Sequence, residues 1–231
     1  MLEVIKSNNE YNDNLKMYNK KDGMFAVLLF AIIITLYALL GFLYKNNNFI
    51  KDNIKVMGCF LNLLLIIITI LFVKIRKQKL NTIGLRGRWK LSIILGGVLS
   101  LFYFYCNCLE HLIHGEKLIS ITSILFLIIY YLLVAICEEF VFRGFIGTRL
   151  NGIIKNKYIV IIVTGLLFVA MHFPYRMIAG NMSLGDFDIG WLINLYIFHL
   201  IMSFIYMKTN SIYGSIIPHW ISDLAYGIVS K

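Results

Sequence analysis

The sequence predicts an all-α, polytopic transmembrane bundle of about seven to eight helices. Of its 231 residues 59% are hydrophobic and only 15% are charged, and the mean hydropathy is +0.77. Long uncharged runs alternate with short polar stretches, as in helices that cross a hydrocarbon core of about 30 Å. We therefore expect an integral, multi-pass protein whose first partner is the lipid bilayer.

The charge distribution indicates membrane topology. The formal net charge is +10, but the basic residues fall between the apolar runs, so we assign no nucleic acid partner. The cysteines lie inside apolar segments and are expected to be small core residues. Frequent Lys, Asn and Ile suggest an AT-rich coding genome, which fits a bacterial cell membrane.

The first half of the chain predicts a tail followed by three spans. Residues 1–22 form a polar tail, expected in the cytoplasm, and residues 23–117 form the N-terminal transmembrane helices. Basic residues without any acidic residue occupy the stretch from Lys74 to Lys90, which predicts a cytoplasmic loop. The apolar runs of this half are Gly23 to Tyr44, Val56 to Val73 and Leu91 to Leu109.

The second half, residues 118–230, predicts four further spans. The loop between Pro174 and Asp188, which includes Asp186, is acidic on balance and is expected outside. The alternation of charge places the N-terminus inside and the C-terminus outside, with a short inner turn at Lys208. A broken helix would add an eighth element. The predicted spans begin near Leu118, Tyr158, Ile189 and Ser211.

Two adjacent carboxylates end the longest uncharged run of this half. Leu118 to Cys137 carries no charge and leads directly into Glu138 and Glu139. Arg143 shares a helix face with Glu139, so the two can form a bidentate pair. Glu138 has no local partner, and a buried unpaired carboxylate is either protonated or held for chemistry. The alternative is an interfacial cluster at a helix end.

Three more ionisable side chains in the predicted spans lie at comparable depth. At ~1.5 Å per residue, Glu138 and His172 are each roughly 20 Å from the turn that joins their spans, whereas His219 is ~12 Å and Asp223 ~18 Å from the same side. These four side chains are therefore expected to converge in one polar cavity. Singly, His172 would serve as a helix cap, and His219 with Asp223 as a structural pair.

Such a cluster supports hydrolysis by either of two routes. Glu138, His172 and His219 resemble a catalytic zinc set of two His and one Glu, in which Zn²⁺ activates a water. Without metal, Glu138 would act as general base on water, His172 would share that proton, and His219 would donate to the oxyanion. Both routes hydrolyse a peptide bond inside the membrane.

The motifs resemble those of the CPBP family, which comprises type II CAAX prenyl proteases and bacterial Abi proteins linked to bacteriocin processing and self-immunity. The resemblance covers roughly residues 118–230. It rests on Glu138-Glu139-x-x-x-Arg143, Phe168-x-x-x-His172 and His219-x-x-x-Asp223, in that order.

The resemblance implies a multi-helix intramembrane endopeptidase. By it, Glu138 and His172 activate the water, His219 and Asp223 stabilise the oxyanion, and Glu139 and Arg143 support the site. Some descriptions of the family treat the same residues as metal ligands. Asp223 stands where the prenyl protease pattern often has Asn, and because an ionised Asp cannot donate a hydrogen bond, a pure oxyanion role does not fit it.

Two other functions remain open from the sequence. The first is a non-catalytic immunity or regulatory membrane protein that retains the motifs. The second is an ion- or proton-coupled transporter, since acidic and His residues inside spans also mark such pathways. For an enzyme, the expected substrate is a prenylated CAAX-type peptide, a processed peptide or a membrane protein.

Overall fold

The computed structural model describes residues 7–183 and 188–230. Residues 1–6 of the polar tail and Asp186 of the predicted outer loop lie outside the described residues. The helices are α1 (Asn9–Lys16), α2 (Lys20–Asn46), α3 (Asn48–Asp52), α4 (Ile54–Ile75), α5 (Trp89–Phe104), α6 (Glu110–Ile113), α7 (Ile121–Glu138), α8 (Gly147–Arg149), α9 (Lys157–Ala170), α10 (Phe173–Ile178), α11 (Ile189–Thr209) and α12 (Tyr213–Gly227).

The all-α, multi-pass architecture is confirmed. Among the described residues, 6 helical stretches are long and apolar enough to cross a membrane. The last helix, α12, has 15 residues and completes the bundle as a shorter seventh element. A two-residue ladder joins β1 (Lys117–Leu118) to β2 (Val229–Ser230). The six stretches are Lys20–Asn46, Ile54–Ile75, Trp89–Ile113, Ile121–Gly152, Lys157–Ile178 and Ile189–Thr209.

Contacts between helix ends show which loops lie together at each of the two ends of the bundle. At one end, Arg76 pairs with Asp22 at 2.7 Å, and the Arg149 guanidinium donates to Thr82 Oγ1 at 2.6 Å. We call this the basic end, and it carries the loop 76–88. At the opposite end, the loop between α6 and α7 pairs with the chain after α12 through β1 and β2. Consecutive long helices therefore run in alternating directions.

Helices α5 and α12 cross at almost backbone contact. A Cβ added to Gly96 would lie 2.7 Å from the Gly214 carbonyl oxygen, and a Cβ on Gly214 would overlap the Ser92 carbonyl oxygen. The Ser92 hydroxyl accepts from the Gly214 N–H at 2.8 Å and donates to the Ser211 carbonyl at 3.0 Å. This crossing fixes the position of α12, which carries part of the candidate site.

Gly214→Ala is expected to lower the free energy of unfolding by about 1–3 kcal/mol, the usual cost of overpacking. The atom that the new methyl group meets belongs to the backbone of α5 and cannot swing aside. Gly97→Ala is the matched control, because a Cβ there meets nothing within 4 Å. Unfolding in detergent would measure both variants, and equal stability of the two would contradict the close crossing.

The turn between α11 and α12 lies inside the protein, whereas the sequence suggested a simple inner turn at Lys208. Thr209, Asn210 and Ser211 are all buried, and the loop 76–88 covers them. In this contact Arg88 N–H donates to the Thr209 carbonyl at 2.7 Å and Ile212 N–H to the Gly84 carbonyl at 3.0 Å. As a result α12 starts below the surface of the basic end.

The fifth span differs from the prediction at its end. The sequence suggested that it stops at Pro174, but the helical stretch runs to Ile178 with a break between α9 and α10. Pro174 lies in the first turn of α10, where its missing N–H costs no hydrogen bond. His172 lies at the break, at the N-cap position of α10.

Candidate active site

The centre of the site is the C-terminal half of the fourth span. Helix α7 ends at Glu138, and the chain continues as a π-helical segment, Glu139–Ile146, in which every residue is buried. Pi-helical turns inside α-helices are rare and occur frequently at functional sites. Glu138 is 8% exposed and Glu139 0%, so the first carboxylate reaches a cavity while the second lies behind it.

Glu139 joins Arg143 to His219. Its Oε1 lies 2.9 Å from Arg143 Nη1 and accepts from His219 Nδ1 at 2.7 Å. The predicted Glu139–Arg143 pair is thus present, but its expected bidentate form is wrong. Among the described residues Glu139 Oε2 has no hydrogen-bond partner, because Oε1 alone is turned toward both cations. The Arg143 guanidinium also lies over the Phe168 ring, 4.6 Å from its centroid.

His219 faces the two other carboxylates with its second nitrogen. Its Nε2 lies 3.7 Å from Glu138 Oε2 and 3.5 Å from Asp223 Oδ2. These separations are too long for hydrogen bonds but short enough for ion pairing. Because Nδ1 is bound to Glu139, the ring is held in one orientation, as a carboxylate partner does for functional histidines.

His172 is oriented by the helix that it terminates. Its Nδ1 donates to the Phe168 carbonyl at 2.8 Å, and since a carbonyl only accepts, Nδ1 carries the proton. Nε2 is therefore the acceptor nitrogen of the neutral ring. The ring packs edge-on against Phe168 and Trp191, with centroid distances of 5.2 and 6.0 Å.

A cavity of about 570 Å³ brings the predicted residues together. Glu138, His172, His219 and Asp223 all line it, so the four side chains do converge as the depth argument suggested. Their catalytic roles stay predictions. Glu139 and Arg143 do not line the cavity. The remaining lining residues are Tyr103, Asn107, Tyr131, Phe168, Arg176, Trp191, Asn194, Leu195, Phe198, Ser222 and Tyr226.

Most of these other lining residues gave no signal in the sequence. Aromatic and amide side chains on apolar helices are ordinary packing residues, and only the fold shows that Trp191 and Asn194 face the same space as Glu138. His199, the remaining His within a span, is fully buried and hydrogen-bonds to Ser203 on its own helix at 3.0 Å. It does not line the cavity.

The residues suggested as zinc ligands do not form a ready metal site. Among the described residues, no group of three or more His, Cys, Asp or Glu side chains is placed to hold a metal ion. His219 uses Nδ1 for Glu139, and its Nε2 faces the carboxylates of Glu138 and Asp223. Zinc binding stays a prediction, which direct metal analysis would test.

The fold and the site define a class of protein: an integral, multi-pass membrane protein with a cavity lined by acidic and His side chains among its helices. Residues 120–225 match the family model described as "Type II CAAX prenyl endopeptidase Rce1-like". This match confirms the family resemblance of the motifs, and it supports intramembrane protease activity at the level of the family. No curated protein and no solved structure matches the chain.

Proposed function

We propose that the protein is an intramembrane endopeptidase that hydrolyses a peptide bond with a water activated by Glu138 and His172. One observation carries the proposal: Glu138, His172, His219 and Asp223 line the same cavity. The family match supports an endopeptidase in general terms, and the contacts of each side chain in the cavity support the step proposed for it.

Glu138 is the proposed general base. It lies at the cavity wall, and the nearest cation, His219 Nε2, is 3.7 Å from its Oε2, so a carboxylate lone pair is free for a water. His172 offers Nε2 as an acceptor to the same water, because its Nδ1 proton is engaged by the Phe168 carbonyl. Two acceptors orient the water so that its oxygen can attack a carbonyl carbon.

His219 is the proposed oxyanion donor. With Nδ1–H directed to Glu139, a proton on Nε2 points into the cavity between Glu138 and Asp223. It would donate to the carbonyl oxygen as negative charge develops there. The proton that Glu138 takes from water then passes to the leaving amine when the C–N bond breaks. Asp223 Oδ2 lies 3.5 Å from Nε2 and pairs with a protonated His219 by charge, and as an ionised carboxylate it does not itself donate.

The proposed steps use side chains only. The sequence leaves a zinc route open, but the described residues provide no group of three ligands at metal spacing, so no step is assigned to an ion. A bound zinc, if metal analysis finds one, would polarise the scissile carbonyl and activate the water.

The proposed substrate is a peptide or a segment of a membrane protein. The family description names CAAX prenyl endopeptidases, so a prenylated C-terminal peptide is one candidate, and an unmodified processed peptide is another. The cavity walls combine aromatic rings such as Trp191 and Phe198 with amides such as Asn107 and Asn194. Such walls can contact both apolar side chains and the polar backbone of an extended peptide.

The experiment that tests the proposal measures peptide hydrolysis and metal content on one purified sample in detergent. Wild-type protein is expected to cleave at least one member of a panel of prenylated and unmodified peptides, and Glu138→Ala to cleave none. Activity that persists in chelator without bound metal supports Glu138 as the base. About one zinc lost together with activity would overturn the metal-free steps, and full activity of Glu138→Ala would overturn the proposal itself.

A further inference from the structure

The cavity extends from the middle of the bundle toward one end. Its lining residues run from Glu138 and His219 toward the end opposite to the basic end, through Asn107, Arg176 and Tyr226. Arg176 lies in α10, which ends at Ile178, and Tyr226 is the next-to-last residue of α12. Trp191, another lining residue, lies in the first turn of α11. Asn107, Arg176, Trp191 and Tyr226 therefore all lie near the end opposite to the basic end.

The side of the cavity nearer the basic end is closed by packed side chains. Phe142, Phe145 and Ile146 of the π-helical segment are 1% exposed or less. Ile83 from the loop 76–88 fits against Gly144, where an added Cβ would lie 3.0 Å from the Ile83 carbonyl oxygen. None of the described residues that line the cavity comes from the basic end.

The same loop is fastened to the bundle by several hydrogen bonds. The Arg149 guanidinium donates to Gln78 Oε1 at 3.0 Å and to Thr82 Oγ1 at 2.6 Å. The Tyr213 hydroxyl donates to the Leu85 carbonyl at 3.2 Å. A peptide arriving from the basic end would have to displace this loop and the packed side chains above it.

The charge distribution decides which end faces the cytoplasm. Short loops rich in Lys and Arg stay on the cytoplasmic side, and the two ends differ strongly in these residues. The basic end carries Lys16, Lys20, Lys21, Lys74, Arg76, Lys77, Lys79, Arg86, Arg88, Lys90, Arg149, Lys155, Lys157 and Lys208. The opposite end carries, among the described residues, Lys45, Lys51, Lys55, Lys117 and Arg176.

We propose that the cavity is entered from the extracytoplasmic side, and that the substrate is a peptide or membrane-protein segment presented there after export. That the molecule entering the cavity is a substrate rests on the proposed function. The side from which it enters is inferred from the position of the lining residues and the distribution of charge. The tail of a cytoplasmic prenylated protein would meet the closed end. An exported peptide would reach the groups at Glu138 and His219 without crossing the loop 76–88.

The test is cysteine labelling from defined sides of the membrane. His114→Cys marks the opposite end, Lys155→Cys marks the basic end, and Ser222→Cys marks the cavity, each in a background in which Cys59, Cys106, Cys108 and Cys137 are replaced by Ala. His114 and Lys155 are both exposed, and Ser222 lines the cavity. If that background folds poorly, the same variants are made in the native chain and the labelled residue is identified by mass spectrometry.

In intact cells, a membrane-impermeant maleimide is expected to label His114→Cys and Ser222→Cys, and to label Lys155→Cys only after permeabilisation. Labelling of Ser222→Cys from the side that labels Lys155→Cys would overturn the proposal, as would exchange of the two marker positions.

The enzymatic arm separates this inference from the proposed function. An impermeant peptide that purified protein cleaves in detergent is expected to be cleaved by cells presenting the outer face and not by inside-out vesicles, with Glu138→Gln as the blank. Cleavage by inside-out vesicles alone would overturn the side of access. Outer labelling of Ser222→Cys without cleavage by any preparation would contradict the endopeptidase and leave the side of access supported.

Discussion

Glu138→Gln is expected to lower the rate of peptide hydrolysis about 10²–10⁴-fold, the contribution of a positioned general base. The substitution keeps the shape and the hydrogen-bonding reach of the side chain but removes its ability to take a proton from water. Glu138 forms no hydrogen bond to a described residue, and its nearest cation lies at 3.7 Å. The free energy of unfolding should therefore change much less than the rate, which purified wild type and variant measured side by side would show.

Glu10→Gln provides the matched control, since Glu10 is an exposed carboxylate on α1 far from the cavity. It is expected to leave the hydrolysis rate unchanged. The same pair of variants separates an enzyme from a regulatory or immunity protein with the same motifs. A cellular phenotype that survives Glu138→Gln but depends on the folded protein would indicate a binding role and contradict the catalytic assignment.

Much of the fold and of the site composition follows from local chemistry in the sequence. Uncharged runs long enough to span a bilayer leave few alternatives to a helical bundle. Ionisable groups inside such runs are so costly that each marks a place where partners meet. This cost is why Glu138, Glu139, His172, His219 and Asp223 stand out in the sequence alone.

The relations between these residues depend on the three-dimensional fold. Periodicity correctly paired Glu139 with Arg143, but it did not predict that His219 takes the same carboxylate oxygen, because that contact spans 80 residues. Nor did the sequence reveal the π-helical segment after Glu138, since a segment of 8 residues is too short for its hydrophobic pattern to be distinguished from that of an α-helix.

The depth of His219 is the clearest example of a long-range effect. Counting from a surface turn placed it roughly 8 Å closer to the basic end than Glu138, yet the two side chains are 3.7 Å apart. The difference arises because the turn before α12 is buried under the loop 76–88, so the helix starts deeper than assumed. No local pattern in that loop indicates that it folds inward beneath Gly144.

Arg143→Met is expected to lower the free energy of unfolding by about 3 kcal/mol or more, the cost of removing one partner of a buried ion pair. Arg143 and Glu139 are both almost completely buried, and the carboxylate left behind would lose its guanidinium partner while keeping the contact with His219. Asp13→Asn is the control, because it breaks the Lys16–Asp13 pair, in which the side chains are 76% and 69% exposed. Exposed pairs contribute about 0–1 kcal/mol. Unfolding in detergent would measure both changes, and equal losses would contradict a supporting role for Arg143.

The double variant Glu139→Gln/Arg143→Met distinguishes stability from positioning. Removing both charges leaves no uncompensated ion, so stability is expected to recover relative to Arg143→Met alone. Hydrolysis should not recover with it, because His219 Nδ1 loses the carboxylate that holds the ring at 2.7 Å, and Nε2 is then no longer fixed toward the scissile carbonyl. A double variant that regained both stability and full activity would show that Glu139 and Arg143 only neutralise each other. Stability regained without activity would assign Glu139 the positioning of His219.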